Sequence, residues 1–366
     1  MVKGLYIHIP FCDIKCPYCD FTSIVEENKD IYEKYVDALL KELSFYLNEN
    51  FQLETVYFGG GTPSLLSPNQ IGKIIKFIRD NIPIKNNPEI TMELNPNTYR
   101  YNEFLEIKEH GVNRVSIGNQ SFLEKNLISL GRNHLPEDTF KTVEDAFKSG
   151  IKNINLDLIY GIQGQSADDL KKDLKIYLSL PITHISAYML TAYSDTPLGK
   201  LVQSGHYTLP DEDITSEMFY LIDNFLEKNG FLRYELSNWA KEGFECKHNL
   251  LYWTDEEFLG IGVSSWSYLN SERFGNVKNI NEYISKVNNG QKPVLFREKI
   301  TEEEKKKEKI MLGLRLKKGI PINWVNGKVD LLHKFVDGGY AVIKNGRFIL
   351  TQKGLMVSNS ISAELI

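Results

Sequence analysis

At 366 residues, with 42% hydrophobic and 25% charged side chains, the chain has an ordinary globular composition and enough length to bury a large core. A net charge of −5 argues against a nucleic-acid partner, and no apolar run reaches the roughly 18 residues of a membrane-spanning helix. Four cysteines, three of them in one loop, do not make a disulfide framework, and the first residues read straight into a strand with no signal peptide, so a cytoplasmic location is expected.

Along the chain, strand-like runs at 5–9, 55–58, 89–93, 114–117, 154–159 and 183–189 alternate with helical periodicity at 31–48, 68–81, 101–109, 136–149 and 167–180. Repeated βα units predict a parallel sheet with right-handed crossovers, in class α/β. Further helices are expected at 219–229 and 281–287. Beyond Pro293, Thr301 precedes the charged run Glu302–Glu308 as a helix N-cap, and the run reads as a solvated face. Asn345-Gly346 between two apolar runs predicts a hairpin. The expected division is a barrel over 1–230, an extension over 231–292 and a small α+β, winged-helix-like domain over 293–366, the last acting in packing rather than in DNA binding.

The chemistry-bearing segment is Cys12-Asp13-Ile14-Lys15-Cys16-Pro17-Tyr18-Cys19, directly after the first strand. Three close thiols are one short of the usual cage of a four-iron cluster. A disulfide would strand the third thiol, and zinc would lack a fourth ligand, with His8 the only histidine nearby. Gly59-Gly60-Gly61-Thr62 follows the second strand; it is either a tight βα turn or a place where backbone approaches a ligand closely. Glu93 ends the third strand, where it is either a helix cap or a ribose-binding carboxylate. Asp157 is a carboxylate in an otherwise apolar strand, a rare arrangement unless it is paired. Cys246-Lys247-His248-Asn249-Leu250-Leu251-Tyr252-Trp253 is either a packed segment with a satisfied histidine or an aromatic segment with a histidine able to ligate heme iron. His8, His110, His184, His206 and His333 read as ordinary histidines.

The loop, with Tyr6-Ile7-His8-Ile9-Pro10-Phe11 before it and Asp20-Phe21 after it, resembles the radical S-adenosylmethionine (SAM) proteins. Within them it resembles the coproporphyrinogen dehydrogenase-like branch, nearest to that branch's heme chaperones. The resemblance runs from about residue 4 to the C-terminus. It implies a partial (β/α)6 barrel and a [4Fe–4S] cluster on Cys12, Cys16 and Cys19, with one iron open to SAM. It also implies SAM contacts from Tyr6, Gly60, Gly61, Thr62, Glu93, Gln120, Arg132 and Asp157, and reductive cleavage of SAM without a catalytic acid–base pair. On the chaperone side it implies heme, or another tetrapyrrole, as cargo. His248 would be a heme contact, an apo-hemoprotein the recipient, and a flavodoxin or ferredoxin the electron donor.

The rival within the branch is oxygen-independent coproporphyrinogen III oxidation. Phe21 stands where those oxidases carry a further cysteine, and their long N-terminal extension is not expected here. Asn119, Gln163 and Ser265-Trp266 also depart from the branch's usual valine, proline and Ala-His.

Overall fold

The computed structural model describes residues 1–366. Six strands run parallel, each hydrogen-bonded to the next: β1 (Val2–Ile9), β2 (Phe51–Gly60), β3 (Ile84–Leu94), β4 (Arg114–Gln120), β5 (Asn153–Tyr160) and β6 (His184–Met189). They alternate with α1 (Asp30–Ser44), α2 (Pro68–Asn81), α3 (Tyr101–His110), α4 (Pro136–Ser149) and α5 (Ala167–Ser179). Proline at the first turn opens α2 and α4, where its missing N–H costs nothing.

Side-chain alternation sorts these strands into two layers. Leu5, Ile7, Val56, Phe58, Ile90, Met92, Val115, Ile117, Ile154, Leu156 and Ile185 are buried beneath the helices. The alternate residues face the barrel interior, and most of them are polar: Tyr6, Thr55, Tyr57, Glu89, Glu93, Arg114, Ser116, Asn155, Asp157 and His184. The interior is therefore a hydrogen-bonded polar network, unlike barrel interiors filled by branched apolar side chains.

Next come α6 (Pro197–Gln203), α7 (Glu212–Lys228), β7 (Leu232–Arg233), β8 (Asn238–Ala240), α8 (Lys247–Trp253) and β9 (Phe258–Ile261). These are followed by β10 (Trp266–Leu269), β11 (Glu272–Asn276), α9 (Ile280–Asn288) and β12 (Val294–Lys299). Strand β9 pairs in parallel with β1, and β10 to β12 continue antiparallel from it. The whole sheet has the order β12-β11-β10-β9-β1-β2-β3-β4-β5-β6-β8-β7, and its two ends are not joined, so the barrel is partial. The sequence reading did not anticipate β10 to β12. They are short, and Glu272-Arg273-Phe274-Gly275-Asn276 carries little strand propensity.

At the C-terminus, α10 (Glu302–Gly313) opens with the expected capping box between Thr301 and Glu304. β13 (Ile320–Pro321) and α11 (Val329–Asp337) precede the hairpin of β14 (Ala341–Lys344) and β15 (Arg347–Leu350). Its turn residues, Asn345 and Gly346, have φ of +51° and +71°, which matches the strand twist. Two short helices, Gln352–Met356 and Ser358–Leu365, end the chain. Gln352 Nε2 donates to Asp223 Oδ2 at 2.8 Å and Lys317 N donates to Tyr234 O at 3.0 Å, fastening this small α+β unit to the barrel side. No helix is long and apolar enough to cross a membrane.

Candidate functional site

The cysteine loop leaves the C-terminal end of β1, the end that carries chemistry in α/β barrels. Its base is pinned on three sides: Ile24 N donates to Pro10 O at 2.8 Å, Gly61 N to Ile9 O at 2.8 Å and Thr62 N to Phe11 O at 2.7 Å. All four cysteines are free thiols. Burial raises the Cys12 and Cys19 thiols above their usual range, and the charge of neighbouring loop cysteines adds to the rise. Cys246 is fully buried in the barrel interior beside Glu89, away from the loop.

One hydrogen-bonded chain ties the loop thiols to three strand ends. Thr62 Oγ1 lies 3.6 Å from Cys12 Sγ, and Asn95 Nδ2 donates to Thr62 Oγ1 at 3.0 Å. Arg132 Nη2 donates to Asn95 Oδ1 at 2.7 Å and to Gly118 O at 2.8 Å, while Nη1 lies 3.4 Å from Cys16 Sγ. Asn95 is the central link of this chain, and the sequence reading passed over it. Its place two residues after Glu93, on the same face of the strand end, was the available signal.

Two glycines make the room. A Cβ on Gly61 would stand 2.6 Å from Phe11 O and 3.0 Å from Cys12 Sγ. Gly60 has φ +112°, and a Cβ there would strike the His8 ring at 2.6 Å. Gln120 also has positive φ, +72°, a strained conformation for a non-glycine residue, and its amide nitrogen would lie 3.2 Å from a Cβ on Gly118.

Behind this edge, Glu93 accepts from Tyr57 OH at 2.7 Å through Oε1 and from Gly60 N at 3.2 Å through Oε2. Burial pushes its carboxyl up to about 7, against the pull of the Tyr57 hydrogen bond. Asp157 accepts from Asn155 Nδ2 at 2.7 Å, and burial raises it to about 6. Tyr6 OH meets His8 Nδ1 at 3.0 Å, and His8 Nε2 meets Thr22 O at 2.8 Å, so His8 braces the loop from below. Tyr188, also missed in the sequence, is the penultimate residue of β6, and burial raises its hydroxyl, with the Asp157, Glu235 and Glu93 charges adding to the rise.

Tyr6, Gly60, Gly61, Thr62, Glu93, Gln120, Arg132 and Asp157 thus gather at one end of the strands with the three loop cysteines. His248 does not. It is 1% exposed in α8, with Nδ1 bonded to Thr55 Oγ1 at 2.7 Å and Nε2 to Tyr252 OH at 2.8 Å. Both ring nitrogens are engaged inside the protein, and the ring is buried rather than at a surface. Trp266, by contrast, is 48% exposed and packs against Phe296 with ring centroids 5.8 Å apart.

No group of three His, Cys, Asp or Glu side chains is arranged to hold a metal ion, and Thr62 and Arg132 lie against two of the loop thiols. The donor set nonetheless suits a three-thiolate cluster. The thiols share one loop and interact by charge, and the buried Arg132 Nε has no partner in the protein.

Residues 6–176 match the Radical SAM superfamily. The heme chaperone HemW of Bacillus subtilis is 34% identical over 99% of this chain and 94% of its own length. The heme chaperone HemW of Mycobacterium tuberculosis is 31% identical over 99% of this chain and 94% of its own length. The chain belongs to the HemW family. Family membership brings with it the radical SAM domain and, by implication, a [4Fe–4S] cluster and SAM. Coproporphyrinogen III oxidase (HemN) from Escherichia coli superposes with a TM-score of 0.85 over 100% of this chain and 90% of its own, at 20% identity, which establishes a shared fold.

Proposed function

We propose that this protein binds heme and passes it to apo-hemoproteins in the cytoplasm, on a radical SAM platform. The observation that carries the reading is resemblance along nearly the whole chain to proteins named heme chaperones, 34% identical in the Bacillus subtilis case. In this reading Cys12, Cys16 and Cys19 hold a [4Fe–4S] cluster, which when bound supplies one-electron chemistry toward SAM, with a flavodoxin or ferredoxin as donor.

The chain's own residues then divide the work of holding SAM. Gly60 and Gly61 leave space for its amino acid part, and Thr62 steadies that turn. Arg132 presents a guanidinium to its carboxylate, an arrangement suited to paired hydrogen bonds. Glu93 accepts from ribose hydroxyls, while Asp157, Gln120 and Tyr6 line the remaining wall. No residue is needed as a general acid or base.

The test is anaerobic reconstitution with iron and sulfide, followed by hemin titration read by absorbance and then by mixing with an apo-hemoprotein. Saturable, stoichiometric hemin binding followed by transfer supports the reading; no specific hemin binding overturns it.

A further inference from the structure

The HNxxYW segment forms the floor of the barrel. The N-terminal turn of α8 lies against Glu89 on β3: Lys247 N and His248 N donate to the carboxylate at 3.0 and 3.1 Å, and the Cys246 thiol lies 3.5 Å from it. The helix fits because small side chains make room beneath it. A Cβ on Gly4 would stand 2.6 Å from Leu251 and 3.3 Å from the His248 ring. Burial and the Arg114 charge push the His248 imidazole down to about 3, so it is a neutral ring with both nitrogens satisfied.

The ring's face is in use as well. His248 stacks on Tyr57 at a centroid distance of 5.0 Å and an interplanar angle of 24°, and Tyr57 in turn stacks on Tyr6 at 6.2 Å. The far end of Tyr57 is the hydroxyl that donates to Glu93. A rigid aromatic therefore spans the space between floor and mouth. One edge of the His248 ring is tied to Thr55, another to Tyr252, and its face fixes the plane of Tyr57.

We propose that His248 is a positioning residue for SAM binding, holding Tyr57 and through it the Glu93 carboxylate, and is not the ligand of heme iron. The proposal rests on the reading of Glu93 as a SAM contact. The other ionisable groups that face Glu93 are Tyr6 on β1, Arg114 on β4, Asp157 on β5, Tyr188 on β6 and Tyr252 on α8. None of them is altered by the variants used below.

The experiment compares reconstituted wild type, His248→Ala and Tyr57→Phe. Radiolabelled SAM is bound by equilibrium dialysis from about pH 6 to about pH 9, and hemin is titrated by absorbance at neutral pH. The Tyr57→Phe variant keeps the ring stack and removes only the donor to Glu93, so it reports even if His248→Ala folds poorly. Losing a hydrogen bond to a charged group predicts SAM binding weaker by about tenfold in both variants. The pH midpoint of SAM affinity should also move upward, because a carboxyl without its donor ionises later. Hemin stoichiometry should be unchanged in both.

Loss of hemin binding in His248→Ala, with the SAM profile intact, would overturn the proposal. So would a Tyr57→Phe variant whose SAM affinity and midpoint match wild type. Wild type that binds hemin but no SAM would instead overturn the reading of Glu93 itself, and the relay with it.

Discussion

The two ends of the same six strands are built on opposite terms. At the mouth, glycines stand where any side chain would collide, Gln120 holds a left-handed conformation, and Arg132 keeps a buried Nε with no partner. At the floor, α8 caps a carboxylate with its backbone, and a histidine spends both nitrogens inside the protein. The mouth thus combines a strained residue and an unpaired buried donor beside the cysteine loop, while the floor is held by hydrogen bonds within the protein.

Mutations should separate the two ends, and the largest effect is expected at the mouth. Cys16→Ala should abolish cluster assembly, read as iron and acid-labile sulfide per chain, while thermal unfolding moves little because the site was not the source of stability. Gly61→Ala should come next. Its methyl must displace Phe11 O or the Cys12 thiol, so iron content after reconstitution should fall severalfold, with a folding cost of about 1–3 kcal/mol by urea titration.

At the floor the balance reverses. Glu89→Ala leaves two backbone N–H groups of α8 without an acceptor and removes the charge facing Arg114, so unfolding free energy should drop by about 3 kcal/mol while iron content is kept.

A pH test sharpens the comparison at the edge of the mouth. Glu42 is buried and accepts from Gly262 N at 2.8 Å and Asn276 Nδ2 at 2.6 Å, holding the turn that follows β9. Burial raises its carboxyl from 4.5 to about 7. The folded state therefore keeps a proton that the unfolded chain releases. This favourable contribution is complete below pH 4.5 and is lost as the pH rises through about 7. The stability of wild type relative to Glu42→Gln should accordingly fall by about 2 kcal/mol between about pH 5 and about pH 8, measured by chemical denaturation. The smallest effect belongs to neither end. Thr301→Ala removes the α10 cap and should cost about 1 kcal/mol with no change in iron, SAM or hemin binding.

Much of the mouth could be read from the sequence, because its chemistry is local. The three cysteines fall within one loop, and the glycine turn, Glu93 and Asp157 each sit on a strand whose period was plain. Ser67-Pro68 marks the start of α2, and Pro136 and Gly150 mark the start and end of α4. The floor was not legible in the same way. A seven-residue helix with an aromatic pattern says nothing of where it docks, so its residues left open both a packed segment with a satisfied histidine and a heme-ligating one. The evidence for its burial lay far off in the chain, in Gly4 and Thr55, inward-facing small residues on adjacent strands that leave room for a ring. Strands β10 to β12 were missed because pairing with β9 outweighs their weak propensity.

The turn held by Glu42 has one more connection. Ser264, at φ +58°, accepts a hydrogen bond of 2.9 Å from Thr22, three residues after Cys19, and Trp266 follows two residues later with its indole half in solvent. The cysteine loop and this indole are therefore joined by a single short linkage. Cluster assembly on the loop is therefore expected to shift the emission of Trp266, and Trp266→Phe, which leaves the other three tryptophans in place, should remove that shift.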